Sequence, residues 1–155
     1  MDSDKRRQLE EKRRFNNARL AANTHRARAE PAFTVLTEAG EDFQLRSLAE
    51  AKSWGPSWLT RASYVEWTRI DDVDWAYNFD DDAAKHAKVI EVLQTIVGPE
   101  DRILICDQFQ IELTRSAFER HYAAIFEAAW RPYITAERAE WLIEVKGGEI
   151  WWKTG

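Results

Sequence analysis

Two aspartates, Asp72 and Asp74, have the spacing that most directly points to chemistry. Residues two apart on a β-strand point to the same face and lie roughly 7 Å from each other. Two carboxylates at that distance can hold a divalent cation or act together as a general acid and a general base. No Asp-x-Asp-x-Asp-Gly loop with a trailing Glu surrounds the pair, and acidic residues usually face solvent. The pair therefore predicts either a small hydrolase-type site or a solvated strand face.

Cys106 and His121 form a second candidate pair. A thiol and an imidazole that meet in space can make an activated nucleophile, provided that a third group orients the imidazole. Cys106 ends the apolar run 103–106, where a free cysteine is usually a small buried hydrophobic residue. The sequence has no Gly-x-Ser-x-Gly, no His-Glu-x-x-His, no Gly-rich phosphate loop and no zinc-type Cys/His spacing. We expect no cofactor and no metal, and an enzyme is the alternative rather than the leading interpretation.

Residues 66–82 combine negative charge with aromatic rings. The segment carries seven acidic residues and one basic residue, Arg69. A negative surface speeds association with a basic protein, and aromatic rings supply contacts that become buried. Helix capping and turn formation by the aspartates would explain the same residues without a partner. The residues that we predict to contact a partner are Glu66, Trp67, Asp71, Asp72, Asp74, Trp75, Tyr77, Asp80, Asp81 and Asp82.

The N-terminal residues carry the opposite charge. Residues 1–30 hold nine Lys or Arg and five Asp or Glu, a net charge of +4, whereas residues 31–155 have a net charge of −9. The nine cations lie within residues 5–28 and could neutralise phosphates on RNA or DNA. The interspersed Glu10 and Glu11 weaken that interpretation, and so does the acidic remainder of the chain. A solvated helix or a disordered tail, folded back onto the acidic face, is the structural alternative.

The first elements follow from helix formers and a chain breaker. Residues 2–30 are rich in Arg, Ala, Glu, Gln and Lys, which favour a mostly solvated helix. Pro31 is expected to end it, because the residue before a proline is disfavoured in the helical region. Residues 33–37 are rich in β-branched and aromatic side chains and predict a short strand, paired as a hairpin with residues 43–45.

Residues 47–79 predict a short helix followed by strands. Ser47 and Glu50 have the spacing of a capping box, which predicts a helix to about residue 54. Residues 63–70 have strand-like composition. In residues 73–79, Val, Trp, Tyr and Phe alternate with polar or small residues, which is typical of a strand buried on one face.

Two further helices are indicated by capping residues and apolar periodicity. Asp80, Asp81 and Asp82 supply an N-cap and a charge that suits a helix N-terminus. An apolar stripe follows, and Gly98 with Pro99 ends that helix; the stripe comprises Val89, Ile90, Leu93, Ile96 and Val97. The second helix begins with capping-box spacing at Ser116 and Glu119, continues with an apolar stripe and closes at Pro132; its stripe comprises Phe118, Tyr122, Ile125, Phe126 and Ala129.

Two hairpins complete the predicted elements. Residues 103–106 and 109–113 form the first, separated by a tight turn. Residues 141–145 and 150–152 form the second around Gly147 and Gly148, which readily adopt the positive φ of such turns. Trp141, Trp151 and Trp152 are expected to make cross-strand pairs, with an outward-facing ring as a candidate contact.

These elements favour an α+β fold with a mostly antiparallel sheet, two main helices packed on one face, and a basic N-terminal helix. We divide the chain into a basic helical arm, 1–30, and a single α+β domain, 31–155. The 155 residues, 45% of them hydrophobic, suffice for one core. Eight Trp are many for this length, so some rings should lie at the surface.

The leading functional hypothesis is a non-enzymatic protein-binding domain, such as a bacterial immunity or antitoxin-type protein that occludes a basic nuclease toxin. Nucleases carry basic surfaces because their substrate is a polyanion. The single cysteine allows no intrachain disulfide, no apolar run approaches the roughly 20 residues of a membrane helix, and the N-terminus is charged. We therefore expect a cytoplasmic protein without membrane contact. The alternatives are a hydrolase using the pairs above and a nucleic-acid-associated protein using residues 5–28.

Overall fold

Seven strands form one antiparallel sheet in the computed structural model of the chain, which describes residues 3–47, 50–56, 72–76, 81–107, 109–129 and 131–154. The strands are β1 Gln44–Leu45, β2 Asp74–Ala76, β3 Arg102–Cys106, β4 Gln110–Thr114, β5 Tyr133–Thr135, β6 Leu142–Lys146 and β7 Glu149–Lys153. The helices are α1 Ser3–Glu38, α2 Asp82–Ile96 and α3 Arg115–Ala128, with a 3₁₀ helix at Glu50–Ser53. The predicted α+β fold is confirmed, and the strand order is β1-β4-β3-β5-β6-β7-β2.

The α-helices pack on one face of this sheet, which we call the helix face. Ile105 lies opposite Ile111 on β4 and Ile134 on β5, so the three side chains share that face. They belong to one fully buried cluster with Leu93 of α2 and Phe118 of α3. The alternation of side chains along each strand thus directs the apolar residues toward the helices.

The other face, which we call the outer face, is partly covered and holds buried charge. Leu104 and Cys106 pack there against Trp54 of the 3₁₀ segment. Glu112 and Glu144 also point to this side and are buried. Strand alternation alone would leave both carboxylates in solvent, whereas the chain that covers this side buries them.

Helix α1 corrects two predictions. Pro31 was expected to end the helix and residues 33–37 to form a strand, but α1 continues through both to Glu38. Its C-terminal turns bury Ala32 and Leu36 completely, and Phe33 lies 6.4 Å from Phe109, centroid to centroid. Burial at helical spacing therefore outweighs the hydrogen bond lost at proline and the strand propensity of the segment.

The two ends of α1 differ in environment. Residues 3–17 are exposed along their whole length, whereas Ala29 is fully buried in the main core. The predicted boundary between arm and domain, at residues 30 and 31, falls inside this continuous helix. The division of the chain at that point stays a prediction.

Strand β1 has a different partner from the predicted one. Gln44 and Leu45 pair with Glu112 and Ile111 of β4, because residues 33–37 are helical and offer no strand edge. The β3–β4 hairpin and the β6–β7 hairpin are confirmed, and Gly147 in the second turn has a φ of 58°. Strand β5 has no counterpart in the sequence analysis, and the strand predicted over residues 63–70 lies outside the described residues.

Two of the predicted helix starts are confirmed and one is wrong. The Glu50 backbone N–H donates to Ser47 Oγ at 3.1 Å and the Ser47 backbone N–H donates to Glu50 Oε1 at 3.4 Å, so both hydrogen bonds of the predicted capping box are present. The Asp81 carboxylate accepts from the Ala83 N–H and caps α2. Thr114 rather than Ser116 caps α3, since the Ser116 hydroxyl instead donates to the Pro99 carbonyl.

Candidate partner-binding site

Strand β2 stands at one end of the sheet order and carries an exposed aromatic ring. Trp75 lies opposite Trp151 of β7, and their rings stack at 5.0 Å between centroids with an interplanar angle of 16°. The Trp151 indole N–H donates to Glu149 Oε2 at 3.1 Å. Trp75 nevertheless remains 48% exposed. The stack therefore holds a large ring in place on the outer face while leaving much of it in contact with solvent.

The environment of Trp75 corrects the prediction for residues 73–79. A strand buried on one face was expected, but the three described strand residues are all exposed or half-buried. Trp75 turns away from the helices, because its partner Trp151 lies opposite Glu144 on the outer face. The alternating pattern identified a strand correctly over Asp74–Ala76 but assigned Trp75 to the wrong environment, and residues 77–79 lie outside the described residues.

Asp72 and Asp74 do not share a strand face. Asp72 precedes β2 and has a φ of 56°, in the left-handed region that aspartate tolerates better than most residues. Asp74 begins β2 and lies opposite Trp152, on the helix side of the sheet. Both carboxylates are exposed, and neither makes an ion pair with any residue in the described ranges. The structure thus removes the predicted strand-face pair, while both charges remain open to a partner. We call Asp72, Asp74 and Trp75 the β2 edge.

Asp81 and Asp82 lie at the start of α2, and both have intramolecular roles. Asp81 is the N-cap, as the structural alternative predicted. Asp82 keeps 85% of its side chain exposed and pairs with Lys85 at 3.4 Å. Lys85 Nζ also donates to the carbonyl of Gly147 at 3.2 Å, which ties α2 to the β6–β7 turn. The remaining residues predicted to contact a partner, Glu66, Trp67, Asp71, Tyr77 and Asp80, lie outside the described residues.

Cys106 and His121 lie on opposite sides of the sheet. Cys106 is buried on the outer face with Ala51 and Trp54. His121 belongs to α3 on the helix face, and its Nε2 lies 3.1 Å from Glu41 Oε1. The structure does not bring the thiol and the imidazole together, so the predicted nucleophile pair has no geometric support.

Glu41 instead joins the loop after α1 to α3. The Arg120 guanidinium donates to both carboxylate oxygens, at 2.8 and 2.9 Å. These hydrogen bonds lower the pKa of Glu41 to about 2, with burial acting in the opposite direction and the His121 hydrogen bond adding to the lowering. The cluster links the loop after α1 to α3. None of its described contacts reaches the β2 edge.

A cleft between α2 and α3 was not anticipated from the sequence. It has a volume of about 610 Å³, and the described part of its lining includes the rings of His86, Tyr122 and Phe126. The imidazole stacks on Phe126 at 4.7 Å and meets Tyr122 edge-on at 4.9 Å. Asp82, Lys85 and Glu127 supply the charged groups of the lining. Helical periodicity indicated that Tyr122 and Phe126 face inward, but one sequence contains no signal that brings His86 to them.

The protonated, cationic form of the His86 imidazole is disfavoured. Partial burial lowers its pKa, and the neighbouring Lys85 charge lowers it further, while Asp82 acts in the opposite direction. A neutral ring is therefore favoured at neutral pH. Such a ring can stack and can accept a hydrogen bond, and it does not repel a cation.

The described residues show neither a metal-binding cluster nor a membrane-spanning helix. Within the described ranges, no three His, Cys, Asp or Glu side chains converge as a metal-binding set. No helix in that part of the chain combines the length and apolar character needed to cross a membrane. Comparison with protein-family models, with curated proteins and with solved structures gave no match.

Proposed function

We propose that the chain is a cytosolic, non-enzymatic binding protein of the immunity or antitoxin type, which occludes a basic partner such as a nuclease toxin. The observation that carries the proposal is the β2 edge. A half-exposed Trp75, held by its stack on Trp151, follows two exposed aspartates in the chain, and neither aspartate has an ion-pair partner among the described residues.

Each part of the edge has a physical role in such a complex. The two aspartates raise the rate of encounter with a positively charged surface and disfavour acidic proteins. The indole offers a rigid apolar surface whose burial stabilises the complex, and Trp is enriched among the residues that dominate interface energies. A nuclease is a suitable partner because its own substrate requires a basic surface.

Capture from cells that contain the native partner tests this proposal. Tagged wild-type chain should retain a basic protein with nuclease activity and should inhibit that activity when added in excess. Trp75→Ala should lose both retention and inhibition, since it removes the anchor. Phe15→Ala is the matched control, because Phe15 is a 71% exposed ring on α1, far from β2 in the sequence.

The outcomes separate the proposal from its alternatives. Retention and inhibition by Phe15→Ala but not by Trp75→Ala would support the β2 edge. Equal inhibition by wild type and Trp75→Ala would remove the edge from the interface. A captured protein without nuclease activity would leave a binding function but contradict the proposed toxin.

The exposed arm supports a second candidate function in nucleic-acid binding. Lys5, Arg6 and Arg7 recur seven residues later as Lys12, Arg13 and Arg14, and all six lie on the exposed part of α1. Two helical turns place the triplets about 10 Å apart along the axis, within reach of neighbouring phosphates.

Salt dependence of RNA binding tests this second candidate. Affinity for a fluorescent single-stranded RNA should fall steeply with added salt if the triplets contact phosphates. Replacing Arg6 and Arg13 with Gln should flatten that dependence. Absent or salt-insensitive binding would remove the nucleic-acid alternative.

A further inference from the structure

The cleft between α2 and α3 combines flat rings with a negatively charged rim. His86, Tyr122 and Phe126 form its aromatic part, and Asp82 and Glu127 lie in its lining. Glu127 is exposed and has no ion pair with any described residue.

Lys85 is the one cation among the described residues of the cleft lining, and it is already bound within the molecule. Lys85 retains 18% of its side-chain exposure, and its Nζ contacts the Gly147 carbonyl and Asp82. The charge that Lys85 carries is therefore largely offset where it lies. Glu127, on the opposite helix, keeps its negative charge available.

We propose that this cleft receives an arginine side chain of the basic partner. A guanidinium is flat, always charged and weakly hydrated, so it can stack on aromatic rings while its N–H groups donate to carboxylates. Tyr122 and His86 provide the half-buried rings, and Glu127 provides the acceptor. The inference rests on the proposed function, because it names the chemical group by which the basic partner is recognised.

Three observations favour a guanidinium over other occupants. Glu127, whose charge no described residue offsets, disfavours an anion. The stacked rings suit a planar group better than a branched aliphatic chain. The volume of about 610 Å³ is large enough to admit one arginine side chain.

A small-molecule titration tests the cleft without the partner. N-acetyl-arginine amide is the probe, and N-acetyl-citrulline amide is its neutral analogue of nearly the same shape. The full chain, labelled at alanine methyl groups, is observed by NMR during both titrations. Ala83 and Ala123 line the cleft and report on it.

The arginine probe should shift the Ala83 and Ala123 methyl signals in a saturable manner. Citrulline should bind at least about fivefold more weakly, which corresponds to roughly 1 kcal/mol of cation–ring and charge interaction. Glu127→Gln should weaken the arginine probe by a similar factor. Glu140→Gln, an exposed charge outside the cleft lining, is the matched control and should leave the affinity unchanged.

Two outcomes would overturn the inference. Equal shifts with arginine and citrulline would show that the cleft does not recognise the positive charge. Saturable shifts at other alanines, with Ala83 and Ala123 unmoved, would place the arginine elsewhere. Neither outcome bears on the β2 edge, whose own test uses Trp75→Ala, so failure here is distinguishable from failure of the proposed function.

Discussion

Glu112 is the carboxylate whose surroundings differ most from what the sequence indicates. It is 6% exposed, and Arg46 and Arg102 donate to its two oxygens at 3.1 and 2.9 Å. The chain of charges continues outward to Glu50 and Asp42. A buried carboxylate requires such partners, because desolvation without compensation is costly.

Removal of Glu112 should destabilise the fold. Glu112→Ala leaves two arginines without their shared partner, and we expect a loss of about 2 kcal/mol in the free energy of unfolding. The value lies below that of a fully buried pair because Arg46 and Arg102 keep 28% and 31% of their side chains exposed. Chemical denaturation measures it.

Asp42→Ala is the control for this prediction. Asp42 also pairs with Arg102, but it is 85% exposed. Its removal should therefore change the stability by less than about 0.5 kcal/mol. Equal losses for the two variants would show that burial of Glu112 contributes nothing.

Glu41 gives a prediction for the dependence of stability on pH. Its pKa is about 2 in the folded chain, below the ordinary value of 4.5, so folding favours the ionised carboxylate. The contribution of the Glu41 carboxylate to the stability of the fold is fully present above about pH 4.5 and is lost as the pH falls toward 2. Glu41→Gln should thus lower the unfolding midpoint at pH 7, and its difference from wild type should shrink below pH 4.5.

Thermal unfolding between pH 2 and pH 7 checks the Glu41 prediction. Glu38→Gln is a suitable control, because Glu38 is exposed at the end of α1 and has no ion pair in the described residues. A difference between Glu41→Gln and wild type that stays constant over the whole range would contradict the lowered pKa.

Individual side chains were the least predictable part of this molecule. Asp81 was recognised as a cap because capping depends on neighbours in the sequence. The Arg46–Glu112 contact and the contacts of Glu41 join residues 66 to 80 positions apart, and nothing local encodes them. The same reason explains why the cleft around His86 was missed.

At the scale of elements, α1 shows how packing overrides local preference. Pro31 lies inside the helix and is exposed, while Ala32 and Leu36 are fully buried. The helix-breaking tendency of Pro31 was correctly identified. Its cost in free energy is smaller than the stabilisation gained by burial of the following turns. Capping and turn signals were reliable where only a few adjacent residues decide, as at Ser47 and Gly147.

Replacement of Pro31 with alanine should stabilise the chain. Proline inside a helix lacks one backbone hydrogen bond, and its ring crowds the preceding turn. Alanine restores the hydrogen bond and removes the crowding. We expect a gain of about 1–3 kcal/mol in denaturation experiments. Glu30→Ala, at an exposed neighbouring position, serves as the control and should change stability by less than about 0.5 kcal/mol. A loss of stability in Pro31→Ala would contradict a continuous helix at this position.

The stabilisation of α2 by the capping hydrogen bond of Asp81 can be tested separately from the effect of the negative charge of Asp81. Asp81→Ala should lower the free energy of unfolding by about 1 kcal/mol, because the Ala83 N–H loses its acceptor. Asp81→Ser keeps a capping oxygen and should leave the free energy of unfolding nearly unchanged. A similar loss in both variants, measured by denaturation, would show that the negative charge rather than the cap stabilises the helix.

At the scale of the whole molecule, opposite charges are separated along the chain. The exposed start of α1 is basic, and the described part of the 66–82 segment is acidic at Asp72, Asp74, Asp81 and Asp82. None of the described side chains of α1 forms an ion pair with these four aspartates. The α+β class was predictable from element types, whereas the strand order depends on long-range pairings such as β2 with β7.

The association rate with the captured basic partner tests the central claim most directly. Asp72→Asn with Asp74→Asn removes two charges, and asparagine tolerates the positive φ at position 72. Glu137→Gln with Glu140→Gln removes two exposed charges outside the β2 edge and is the matched control. Stopped-flow experiments at low and high salt compare the two variants with wild type.

We predict that the aspartate variant associates about three- to tenfold more slowly than wild type at low salt, with the difference vanishing at high salt. The control should associate at the wild-type rate under both conditions. Association of the aspartate variant at the wild-type rate in low salt would contradict recognition of the partner by the β2 edge.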